Sequence, residues 1–226
     1  MTWGIIAVLA VGLLLTYIIW QETRSHLRWR ELVAQGNVWA IHELVSGEIE
    51  RWHRMRPPTG TPLPLWGGVQ TVELVATGHD HIQVACGTEG EYRMVGARRE
   101  QVATPLDAAI RLAAKVIEMV MYDIPEVKVG VVRVDVYSTF SSPTGSTEQG
   151  CILTTTASRD VVNAIDWDFS TPREILDSLS ARYELDELGV GRPVDPGPPL
   201  EDEPVELSMP PEVRRRRGRS HRPNEG

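Results

Sequence analysis

The stretch VVRVDVYSTF (Val131–Phe140) alternates without a break over the six residues Val132–Tyr137. Val132, Val134 and Val136 fall on one side, and Arg133, Asp135 and Tyr137 on the other. Successive side chains of an extended chain point to opposite faces, so this period of two predicts a half-buried strand. The loop SSPTGSTEQG (Ser141–Gly150) then leads into a second apolar run, Cys151–Thr156, which predicts a hairpin. Paired that way, Arg133, Asp135 and Tyr137 face Thr154 and Thr156. A polar face of this kind is either simply solvated or a docking surface, and these three residues are the candidate interaction surface.

Working outward, further strands are expected at Val69–Ala76, Ile82–Cys86 and Glu91–Val95. The turn signals between them are Thr77-Gly78-His79-Asp80 and Gly87–Gly90. Thr104-Pro105-Leu106-Asp107 has an N-cap threonine, a proline at the first helical position and an acid at the third. It predicts a helix to about Tyr122 with Leu106, Ile110, Ala113, Ile117 and Val120 on its apolar side. Ser158 is a candidate cap for a short helix, and Thr171–Glu174 repeats the capping pattern to start a helix ending near Arg182. The order βββ-α-ββ-α, with about five strands joined by tight turns, predicts an α+β fold with a mainly antiparallel sheet packed with helices. Its expected extent is residues 69–188.

Before this unit, Pro57–Gly68 (PPTGTPLPLWGG) reads as a linker, and residues 21–56 as juxtamembrane helices broken at Gly36-Asn37. In the second of these helices Val38, Ile41, Val45, Ile49, Trp52 and Met55 form one stripe. That stripe needs a cover: the domain's own sheet, a second copy in a coiled coil, or a partner.

The first residues are read as a membrane anchor. Trp3 to Trp20 spans 18 residues without a charge, a helix of about 27 Å, near the thickness of a bilayer core. The basic region and small-residue cleavage site of a signal peptide are missing. Arg24, Arg28 and Arg30 follow the span, and no basic side chain precedes it, so the positive-inside rule puts the bulk of the chain in the cytoplasm. The expectation is a single-pass protein of the inner (plasma) membrane with its N-terminus outside.

The net charge of −8 argues against a nucleic-acid-binding function for the whole chain. Residues 189–226 are Pro-rich, then acidic, then basic, and read as a disordered tail. Arg214, Arg215, Arg216, Arg217, Arg219 and Arg222 are its strongest electrostatic feature. On a tethered domain, anionic lipid headgroups are the favoured target, each basic residue near the surface contributing on the order of 1 kcal/mol.

Signals for chemistry are sparse. Cys86 and Cys151 lie in apolar strands and read as inert core thiols. His79-Asp80-His81 is the most ligand-like cluster, but it sits where a hairpin must turn. Glu126-Val127-Lys128 matches the E-x-K element of metal-dependent nucleases, with Asp80 or Asp107 as the further acid. No nucleophile elbow, P-loop or dinucleotide fingerprint is present, and no cofactor is expected. The favoured reading is a scaffold or accessory subunit that binds another membrane protein or a second copy of itself. A membrane-tethered hydrolase or nuclease is the alternative.

Overall fold

The computed structural model describes residues 32, 33, 35–125, 127–141, 145–201, 204 and 205. The anchor expected at residues 3–20 and the Arg214–Arg222 run lie outside them. Among the described residues no helix is long and apolar enough to cross a membrane.

Four strands make the main sheet: β1 (Glu73–Thr77), β2 (His81–Gly87), β5 (Val131–Ser141) and β6 (Thr147–Ser158), in the order β1-β2-β5-β6. β1 pairs antiparallel with β2, and β5 with β6. β2 and β5 run parallel, aligning Gln83 with Arg133 and Ala85 with Asp135. Between them the chain makes a separate two-stranded arm, β3 (Glu91–Val95) and β4 (Arg98–Ala103), and then helix α3 (Pro105–Glu118). A parallel pair needs such a crossover because a tight turn only reverses the chain. The fold is therefore mixed α+β, as expected.

Val132, Val134 and Val136, all fully buried, take part in one hydrophobic core with Ile82, Val84, Leu153 and the apolar side of α3. Thr104 caps α3 with the full reciprocal box: its hydroxyl accepts from Asp107 N, and the Asp107 carboxylate accepts from Thr104 N. After the short helix α4 (Arg159–Ala164), Thr171 caps α5 (Pro172–Ser178) in the same way through Glu174. Thr155, on the valine side of β6, is buried and its hydroxyl has no hydrogen-bond partner. Thr155→Val is therefore expected to raise the unfolding free energy by about 1 kcal/mol, read from urea denaturation midpoints.

Three expectations change. Helix α1 (Val38–Arg54) buries its stripe, Val38, Ile41, Val45, Ile49 and Trp52, in the domain's own core, so the folded unit begins well before Val69. The expected linker contains helix α2 (Leu63–Val69). Trp66 in α2 is fully buried and its indole N–H donates to Met55 O at 3.0 Å. Gly68 lets α2 approach α3 closely, since a Cβ there would stand 2.7 Å from Leu112 Cδ2. Finally, the Pro-rich segment after Gly189 does not begin as a disordered tail. Asp186–Val190 closes a small hairpin between β7 (Glu184–Leu185) and β8 (Gly191–Arg192), and residues 193–201 run on across the sheet. Carbonyls hold them there, which composition does not reveal.

Candidate functional site

The side of the sheet opposite the main core carries Gln83 on β2, Arg133 and Asp135 on β5, and Thr154 on β6, all buried. Asp135 ties them together. Its carboxylate accepts from Arg133 Nε at 3.0 Å, from Gln83 Nε2 at 2.6 Å and from Thr154 Oγ1 at 2.5 Å. An ion pair taken out of water is stable only when its remaining donors and acceptors are also satisfied. Here the remaining ones are satisfied by backbone.

Residues 194–201, which we call the strap, cross β6, β5 and β2 in turn. Val194 N donates to Cys151 O at 2.8 Å on β6. Over β5, Arg133 Nη2 donates to Pro196 O at 2.5 Å and Arg133 Nη1 to Pro198 O at 2.7 Å. Arg182 Nη2 reaches Pro196 O as well, at 2.9 Å. Over β2, Leu200 N donates to Gln83 Oε1 at 2.7 Å, and His81 Nε2 donates to Glu201 O at 2.7 Å. Asp195 Oδ1 accepts from Gly197 N and fixes the bend between the two halves.

All six of these bonds engage the strap's main chain. No residue from Pro193 to Glu201 is fully buried, and the strap contributes little apolar burial. Six such bonds contribute about 0.5–1.5 kcal/mol each, more where Arg133 is the donor. Ordering the strap's non-proline residues costs about 1–2 kcal/mol each. The two terms balance to within a few kcal/mol, so the strap is a weakly held layer over a rigid one.

The sheet side is preorganised. With the strap lifted, Asp135 still binds Arg133, Gln83 and Thr154, and within this network the two Arg133 Nη groups and Gln83 Oε1 turn to water. Two fixed donors and one fixed acceptor then face outward, spaced for the alternate residues Pro196, Pro198 and Leu200 of a chain that bends at Gly197. These groups match the hydrogen-bonding groups of a polypeptide backbone.

Of the three residues expected to share this face, Arg133 and Asp135 lie in the network, while Tyr137 diverges. It is half-buried and lines a cleft of about 590 Å³ with Gly68, Gly87, Glu89, Tyr92 and Arg99. Burial pushes its phenol upward from the usual value, and charge on Cys151 and Asp135 adds to the shift. The residues that sequence reasoning missed are Gln83, Arg182 and the strap itself. A visible signal was the Arg-x-Asp pair set between valines in mid-strand, which demands either water or a polar cover.

Both cysteines are buried and free. Burial, followed by the charge of Asp135, pushes the Cys151 thiol up to about 11 and raises Cys86 as well. Deprotonation, and with it reactivity, is therefore suppressed at pH 8. Neither thiol is expected to react with Ellman's reagent in the native protein, and both react in guanidinium. Rapid native labelling would show that the strands open.

Of the remaining candidates, the two aspartates are already engaged. Asp80 Oδ1 accepts from Gly130 N at 2.8 Å, pinning the β1–β2 turn against the start of β5. The Asp107 carboxylate is held in its helix cap by Thr104. Lys128 is exposed, and Glu126 lies outside the described residues. No group of three or more His, Cys, Asp or Glu able to hold a metal occurs among the described residues. Compared with protein-family models, curated proteins and solved structures, the chain matches none.

Proposed function

We propose that this is a single-pass, membrane-anchored binding protein, a scaffold or accessory subunit whose α+β domain sits in the cytoplasm. One observation carries the binding reading: a buried, internally satisfied Arg133–Asp135–Gln83 network whose outward-facing groups are met by polypeptide backbone alone. A face meant for permanent burial would be apolar, since burying polar groups brings little net gain even when they are paired. A polar one is stable both covered and hydrated.

The anchor at residues 3–20, the arginines behind it and the expected contact of Arg214–Arg222 with anionic lipid belong to the same reading. The span fixes the domain at the bilayer, and the basic tail adds attraction to the same surface. The partner is then another membrane protein or a second copy of the chain.

The test is purification of the full chain in mild detergent beside two variants. In one, residues 1–31 are replaced by an unrelated single-span anchor; in the other, Arg133 becomes Gln. The domain-binding reading expects a defined partner to survive the anchor exchange and to be lost with Arg133→Gln. Recovery of a free monomer from every preparation would count against it, and loss on anchor exchange alone would move the contact into the bilayer.

A further inference from the structure

We propose that the strap is an internal stand-in for the partner, and that the sheet face takes a proline-rich segment with a glycine bend in its place. This deepens the binding reading above and rests on it. The contacts define the ligand's chemistry. Arg133 holds the carbonyls of Pro196 and Pro198, and Gln83 holds the amide of Leu200, so the three anchored groups sit at positions i, i+2 and i+4. The site thus reads C=O, C=O and N–H at alternate residues of one chain that bends at Gly197.

Proline fits positions i, i+2 and i+3, Pro196, Pro198 and Pro199 in this chain, whereas i+1 is Gly197, whose φ of 78° proline cannot adopt. Proline fixes φ and favours the extended conformation, which lowers the entropy lost on docking. At i+4 proline is excluded, because that residue must supply an N–H. The ligand class is therefore P-G-P-x followed by any residue but proline. The preference for acidic flanks follows from Arg182 beside the i carbonyl and from Asp195 and Glu201, the strap's own acidic residues on either side of Pro196–Leu200.

Competition sets the observable behaviour. A tethered strap acts at a high effective concentration, on the order of millimolar for a short connection. A free peptide of the same sequence is therefore a poor ligand for the intact protein and a good one when the strap is gone. A partner displaces the strap by bringing a longer proline-rich segment, or by being held at the same membrane.

The experiment uses the full chain with residues 193–201 replaced by an equal length of Gly and Ser, the wild-type chain, and a full-length Leu200→Pro variant. The Leu200→Pro change removes only the strap's bond to Gln83. The probe is a labelled peptide, PVDPGPPLE, followed by fluorescence anisotropy, and the control peptide is PVDPGPPPE. The replaced chain is expected to bind the probe roughly tenfold or more tightly than wild type. The control peptide should bind about fivefold more weakly than the probe, for one lost hydrogen bond. Adding Arg133→Gln to the replaced chain should abolish binding, because two charge-assisted bonds go.

Leu200→Pro should strengthen probe binding about fivefold over wild type. If the replaced chain does not fold, as judged by circular dichroism, this variant decides the matter. The proposal is overturned if a folded replaced chain shows no probe binding, if all three proteins bind alike, or if Arg133→Gln leaves binding unchanged. Peptide binding without a co-purifying membrane partner would leave this site standing and remove the membrane-assembly reading. The reverse result would do the opposite.

Discussion

Asp135→Ala is expected to lower the unfolding free energy by about 3–5 kcal/mol, among the largest effects of any substitution on the polar side of the sheet. The change leaves the Arg133 guanidinium, whose side chain is only 9% exposed, without its counter-charge. It also strips Gln83 Nε2 and Thr154 Oγ1 of their common acceptor. Asp135→Asn keeps a carbonyl oxygen at the centre of the network and removes only the charge, so its cost should be clearly smaller. Urea denaturation of the two variants beside wild type measures both. If Asp135→Ala costs under about 1 kcal/mol, the network is hydrated in solution and the strap does not cover it.

Trp66→Ala is expected to be as damaging, at about 3–5 kcal/mol. Trp66 is fully buried, donates to Met55 O and lies in a helix brought close to α3 by Gly68. His53 reinforces the same junction through Val72 O at 2.8 Å, and Gln70 donates to the carbonyls of both His53 and Met55. The chain between Arg54 and Glu73 is thus a corner of the core that joins α1 to the sheet. Were Pro57–Gly68 a linker, Trp66→Ala would change stability by no more than about 0.5 kcal/mol. Trp52→Ala asks the same question of α1, where the indole is equally buried.

What could be read in advance was local. The alternation of Val131–Phe140 and the capping boxes at Thr104 and Thr171 are short-range patterns, and each marks a real element boundary or face. The stripe on α1 was legible as a stripe, but the sequence left open what covered it. Four prolines around Leu63 hid α2, although Pro62 and Pro64 fall at its start, where proline is tolerated. The parallel pairing of β2 with β5 joins segments about fifty residues apart and leaves no local trace. Neither does the strap. Low apolar content made residues 193–201 look like a tail, and by composition that is sound. They are held through main-chain carbonyls and amides, groups that every sequence possesses, so most of the information lies in Arg133 and Gln83, and the strap adds only its prolines and the bend at Gly197. Even there the pattern predicted a polar face without saying that this chain covers it.

The central claim is that a weakly held strap covers a rigid polar sheet face and opens without unfolding the domain. Amide hydrogen exchange of the full chain tests this most directly, by comparing Val194 and Leu200 in the strap with Val134 and Leu153 in the sheet. The account predicts that the two strap amides exchange through a local opening, orders of magnitude faster than the sheet amides and nearly independent of low urea concentrations. Strap amides that exchange as slowly as the sheet, and with the same urea dependence, would show that residues 193–201 are an integral layer of the fold and would contradict the account.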